Sequence, residues 1–201
     1  MNMKFIHSGV DHLKDKKADI FNCGRELFYS NGFKDTNISD ITKMAGVGVG
    51  TFYNYYESKE KLFLEIYAKE NENIKKHIAE SLDLSQDPVT IVTKMIEQNF
   101  NAMNTNLILK EWYNRDFFRE LELHCREADK NNDASFRNFY AELLKEWKAE
   151  GKIRGDIDDE LLLALFDSLA YIDTHKEDIG IHHFPQLMKY LVEFIMKGLT
   201  E

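Results

Sequence analysis

Residues 41–62 read "ITKMAGVGVGTFYNYYESKEKL". Gly46, Gly48 and Gly50, three of the chain's ten glycines, alternate there with valine, and Phe52, Tyr53, Tyr55 and Tyr56 follow at once. Glycine at every second position weakens any regular element, and a run of tyrosines is costly on a surface that has no partner. The spacing predicts a tight turn at "AGV", Gly48 at an N-cap position, and a short helix over 49–55. At about 100° per residue, Phe52 and Tyr56 share one face of that helix, while Thr51, Asn54 and Tyr55 lie roughly opposite. The first face is expected to pack and the second to be free to touch something else.

Upstream, "ADIFNCGRELFYSNGF" (18–33) places Ile20, Phe21, Leu27 and Phe28 at helical spacing, with Gly24 on the same stripe, where it permits close approach of another backbone. This helix is expected to stop at Gly32 in a left-handed conformation, with Phe33 folding back. Thr36 is predicted to cap a short second helix whose Ile38, Ile41 and Ala45 form one apolar stripe. Downstream, Ser58 caps a fourth helix, apolar at Leu62, Phe63 and Ile66 and then mostly charged, so it bridges from the small N-terminal bundle to the rest. Asp87 with Pro88 opens another helix. Aromatic-rich segments follow at 111–125 and 134–148, and Asp156 is predicted to cap the helix that contains "LLLALFDSLAYI" (161–172). That segment is apolar almost all round and needs cover on more than one side. Pro185 opens the last helix. With two prolines in 201 residues and 43% apolar residues, the chain reads as all-α, with about nine helices.

The net charge of −9 is unevenly placed. Residues 1–61 hold 9 Lys and Arg against 8 Asp and Glu, and residues 62–201 hold 17 against 27, so the acidity belongs to the second part. A nearly neutral N-terminal unit with Lys14, Lys16, Lys17, Lys34, Lys43, Lys59 and Lys61 can still approach phosphate. Cys23 and Cys125 form no disulfide framework or zinc spacing, and Cys125 lacks the basic surroundings of a redox sensor. No apolar run is long enough for a signal peptide or a membrane span, so a soluble, cytoplasmic protein without membrane association is expected. His175, His182 and His183, near Asp173, Glu177 and Asp178, fit no standard ligand pattern and read as a solvated helix end. No cofactor and no metal are expected.

Three short helices, the second and third joined by a tight turn, make a helix-turn-helix candidate. "ITKMAGVGVGTFYNYYESKEKL", together with Leu27-Phe28, Gly32-Phe33, Thr36 and Ile41, resembles the signature of the tetracycline-repressor (TetR) family of bacterial transcriptional regulators. The resemblance covers roughly residues 18–66. It implies a DNA-binding domain over 1–61 and an effector-binding and dimerisation domain over 62–201. It also implies that the third helix enters the major groove. Gly50 would then admit the DNA backbone, and Thr51, Tyr53 and Tyr55 match positions that touch phosphate or base edges. Asn54 carries an amide suited to adenine. Ser39 and Lys59 match phosphate-contacting positions. Where the family often has Ser then Lys, this chain has Gly48 and Val49. Val49 either reaches a thymine methyl or turns inwards beside Phe52, and the sequence supports both.

A single helix-turn-helix makes few base contacts, so two are normally held apart on a near-palindrome. The helices near 157–175 and 185–199 suit a homodimer seam, as the resemblance implies. Phe100, Met103, Trp112, Phe117, Phe118, Phe136, Tyr140, Trp147 and Tyr171 each read singly as core, because cores and pockets use the same residue types. Collectively they suit a small hydrophobic effector, and the acidic balance favours a neutral or cationic lipophile over an acyl-CoA-like anion. The expected partners are thus a double-stranded DNA operator, an effector and a second copy of the chain. The expected function is a ligand-responsive repressor, the alternative being a protein-interaction adaptor of the same fold that binds no operator. No nucleophile motif, phosphate loop or carboxylate pair supports an enzyme.

Overall fold

The computed structural model describes residues 7–111, 135–184 and 186–200, and all regular structure among them is helical. Trp112, Phe117, Phe118, Cys125 and Pro185 lie outside the described residues. The chain divides into two compact units, one running to Ile74 and resuming at Asn101, the other made of Lys75–Phe100 and the residues from Asp133 onwards.

In the first unit, α1 (His7–Asn31) buries Ile20 and Phe28 completely, with Phe21 and Leu27 packed beside them. Gly24 lies on this stripe for a steric reason: a Cβ there would stand 2.8 Å from Leu62 Cδ2 and 3.3 Å from Ile66 Cδ1. Leu62 and Ile66 are themselves fully buried, so neither can swing aside. Alanine normally gains about 1 kcal/mol over glycine inside a helix. Here the collision cancels that gain, and Gly24→Leu is expected to cost about 3 kcal/mol through overpacking, read as a fall in the denaturation midpoint.

The first helix ends where Gly32 takes φ +80 and donates its N–H to Phe28 O at 2.9 Å, and Phe33 folds back with its ring 5.9 Å from that of Phe28. Thr36 does not cap the next helix. It is buried, and its hydroxyl donates to the carbonyl of Gly32 at 2.8 Å, closing an acceptor that the end of α1 leaves open. The cap of α2 (Ile38–Met44) is Asn37, whose Oδ1 accepts the Asp40 N–H at 2.9 Å while its Nδ2 donates to Asp40 Oδ2 at 2.6 Å. A turn through Gly46 (φ +66) leads to α3 (Val49–Tyr53), and α4 (Lys59–Ser81) follows with Ser58 Oγ accepting the Lys61 N–H at 3.3 Å.

Leu62, Phe63, Ile66 and Tyr67 of α4 complete this core. Glu70 lies on the same stripe and is also buried. Its carboxylate accepts from Arg25 Nε at 2.6 Å and from Asn106 Nδ2 at 2.9 Å, so the burial of a charge is met by a cation and an amide. Asn106, between α5 (Pro88–Thr105) and α6 (Leu107–Lys110), uses its Oδ1 to accept the Ile108 N–H at 2.9 Å. Met103, Ile108 and Leu109 thereby join the first core.

In the second unit Asp87 caps α5, accepting the Thr90 N–H at 3.0 Å. α7 (Ser135–Ala149) contributes Leu143, Leu144 and Trp147 to a core shared with Ile91, Ile153, Leu162, Leu169, Val192, Met196 and Leu199. α8 (Asp159–Thr174) is capped by Asp158, which accepts the Glu160 N–H at 2.8 Å, and not by Asp156. Asp156 is held instead by both arms of the Arg154 guanidinium at 2.6 Å, and those hydrogen bonds keep its carboxyl at about 2. α9 (Lys176–Ile179), a short 3-10 turn (Ile181–His183) and α10 (Gln186–Thr200) complete the described chain. α8 and α10 pack together, yet Leu161 and Tyr171 of α8 and Tyr190 and Phe194 of α10 remain largely exposed.

Candidate nucleic-acid interface

α3 has no side-chain cap: Gly48, at its N-cap, has extended backbone (φ −79, ψ 154) and no side chain to offer. What orients it is Phe52, fully buried among Ile41, Tyr56 and their neighbours, with the Tyr56 ring 5.8 Å away. Burial, followed by the Glu65 carboxylate, pushes the Tyr56 phenol above its ordinary range. Tyr53 stands edge-on to Phe52 at 5.5 Å and 55% exposed. Val49 is 45% exposed and thus turned to solvent, which resolves its two orientations in favour of the outward one. Asn54 is exposed and Thr51 half-buried. At Gly50 a Cβ would meet no atom within 4 Å, so the fold itself makes no steric demand for glycine there. Ser39 is exposed on α2.

Two of the expected DNA-touching residues are half-buried. Tyr55 is half-buried and packs against the first core. Three residues on from Phe52, it stands only about 60° from that ring at about 100° per residue, beside the packed face and not opposite it as expected, and the turn continues through Tyr55 N–H on Phe52 O at 2.9 Å. Lys59 is also half-buried, its ammonium donating to Phe33 O at 2.8 Å and Thr36 O at 2.7 Å and lying 4.2 Å from the Phe33 ring centre. No local pattern signals that pairing. The surface that does come together is therefore Val49, Gly50, Tyr53 and Asn54, with Thr51 at its edge.

The expected effector residues are divided between the two units. Met103 belongs to the first core and Trp147 to the second, where it is almost fully buried. Tyr140 is half-buried and donates to Asp167 Oδ1 at 2.5 Å, while Arg137 donates to Asp167 Oδ2 at 3.0 Å. Tyr171 is exposed and stacked on His175 at 4.0 Å, and Phe100 is at the border of exposure. Trp112, Phe117, Phe118 and the side chain of Phe136 lie outside the described residues. Among the described residues no group of three or more His, Cys, Asp or Glu side chains is placed to hold a metal ion, and no helix is long and apolar enough to cross a membrane.

Sequence comparison matches residues 20–66 to the family described as bacterial regulatory proteins, tetR family. The repressor KstR2 of Mycolicibacterium smegmatis is 22% identical over 187 residues, covering 92% of this chain and 91% of its own. Among solved structures, FadR from Bacillus subtilis in complex with stearoyl-CoA superposes with TM-score 0.60 at 19% identity, over 90% of this chain and 98% of its own. FadR from Thermus thermophilus in complex with lauroyl-CoA gives 0.59 at 21%, over 90% and 93%. These likenesses establish the fold over nearly the whole chain. The curated relatives are transcriptional regulators and not enzymes.

Proposed function

Because the chain belongs, through residues 20–66, to the tetR family of bacterial regulatory proteins, we propose that it is a dimeric, cytoplasmic operator-binding repressor released by a small hydrophobic effector. The observation that carries this reading is the surface of α3: open main chain at Gly50 and an exposed phenol at Tyr53, both fixed by the buried ring of Phe52. Bare backbone N–H groups and a phenolic hydroxyl are donors suited to phosphate, whereas Asn54 and Val49 offer an amide and a methyl surface to base edges. Ser39 and Thr51 add hydroxyls beside them.

A second copy of the chain supplies the second half-site reader. Leu161 and Tyr171 on α8, and Tyr190 and Phe194 on α10, are large apolar groups left in water by one copy, on two helices that pack together. Covering them in a symmetric pair removes that cost. Effector binding then favours a dimer in which the half-site readers are wrongly spaced, and linkage makes DNA and effector weaken each other reciprocally. Acyl-CoA thioesters, held by two of the structural neighbours, are the first class to test, before neutral or cationic lipophiles.

The test is a gel shift against the DNA flanking the chain's own gene, with and without saturated acyl-CoA of increasing length. A retarded band that acyl-CoA dissolves supports the reading. Absence of any specific band would leave an adaptor of the same fold. Gly50→Ala sharpens the test: with no atom near the new Cβ and alanine the better helix former by about 1 kcal/mol, thermal stability should hold or rise. Operator affinity should nevertheless fall, since the methyl occupies the space proposed for the DNA backbone. Unchanged affinity would remove α3 from the interface.

A further inference from the structure

A lysine in the first turn of a helix faces the positive end of the helix dipole, so the place is unfavourable unless something else holds the charge. Lys59, the first residue of α4, has that something. Its ammonium bonds two main-chain carbonyls, Phe33 O and Thr36 O, and rests against the Phe33 ring, whose face attracts a cation. Both carbonyls belong to the corner between α1 and α2. That corner is shaped by Gly32 at φ +80 and by the Thr36 hydroxyl on Gly32 O, and it leads directly into the Asn37 cap.

The two ends of the bond to Thr36 lie 23 residues apart in sequence, and everything between them is α2, the turn, α3 and the short stretch that follows it. Lys59 therefore closes the helix-turn-helix segment at its base, where the chain enters α2 and where it leaves for α4. We propose that Lys59 is a positioning residue, which sets the orientation of α2 and α3 by clipping the α1–α2 corner to α4, and that it is not a phosphate ligand. Two of its three N–H donors are engaged within the chain, and its half-buried charge is already met by two carbonyl dipoles and a ring. The inference rests on the operator-binding reading for its functional consequence, but its structural part stands apart from it.

Lys59→Met keeps an unbranched stem over Phe33 and deletes the charge. In the full-length protein, well below its melting temperature, the variant should bind the flanking DNA about tenfold more weakly, as expected if the binding-ready orientation falls to about a tenth of the population. The slope of log affinity against log salt should stay as in the unaltered protein, because the number of neutralised phosphates is the same. A slope reduced by about 0.9 for each protomer would instead show that the Lys59 ammonium neutralises a phosphate and would overturn the proposal. So would unchanged affinity with only a lower melting temperature, which would make the bond a fold staple without positional effect. Should the unaltered protein bind no DNA, the regulator reading fails by itself. Amide exchange still decides the clip: faster exchange at Ile41 and Ala45 in Lys59→Met supports it, and unchanged exchange rejects it.

Discussion

Phe194→Glu is expected to split the dimer and lower operator affinity by about 10²–10⁴-fold, the factor by which a tethered second site normally raises avidity. Phe194 is the most exposed large apolar side chain among the described residues, at 64%, and its ring stacks on that of Tyr190, 6.1 Å away. The opposite face of α10 supplies Val192, Met196 and Leu199 to the second core. A carboxylate at 194 therefore leaves that core intact and adds like charge to the proposed seam. It should appear as a halved mass in sedimentation and a vanished shift on a two-half-site duplex. The melting profile of the second unit and the weak binding to a single half-site should stay nearly unchanged. A variant that remains dimeric would place the seam elsewhere.

The second large effect is on the other unit. Phe52→Ala should cost about 3–5 kcal/mol, as large-to-small changes at fully buried aromatic positions do. Phe52 is the one residue of α3 that is fully buried in the first core, so the loss falls where the helix has no N-cap side chain to sustain it. At about 4 °C or more per kcal/mol for a domain of this size, the transition of the first unit should drop by at least about 12 °C. DNA binding should fail with it. Operator affinity that survives at the old melting temperature would show that α3 is ordered by something other than its buried ring.

Much of the first unit was legible in the pattern of residues. The stripe of Ile20, Gly24, Leu27 and Phe28 and the shared face of Phe52 and Tyr56 follow from helical spacing, and spacing survives whatever the helix packs against. Caps were harder. Thr36 and Asn37, and Asp156 and Asp158, are near neighbours with similar capping chemistry, and local sequence cannot rank them. The choice was made by competing partners: the open Gly32 carbonyl drew in Thr36, and the Arg154 guanidinium took Asp156. Tyr55 was assigned to the wrong face because three residues at about 100° bring it within about 60° of Phe52, beside the packed face and not opposite it. The buried Glu70 had a signal, a carboxylate continuing the stripe of Leu62, Phe63, Ile66 and Tyr67, but its partners at 25 and 106 had none.

The amino-acid sequence alone determined the helical class, the glycine turn at 46, the ring that α3 buries and the family likeness of residues 20–66, because each depends on residues within a few turns of one another. Only the tertiary structure placed Lys59, Glu70, Tyr55 and the aromatics among the described residues. Their roles are set by groups distant along the chain and near in space, and the energy of a buried charge or an exposed ring depends on that surrounding and not on local order.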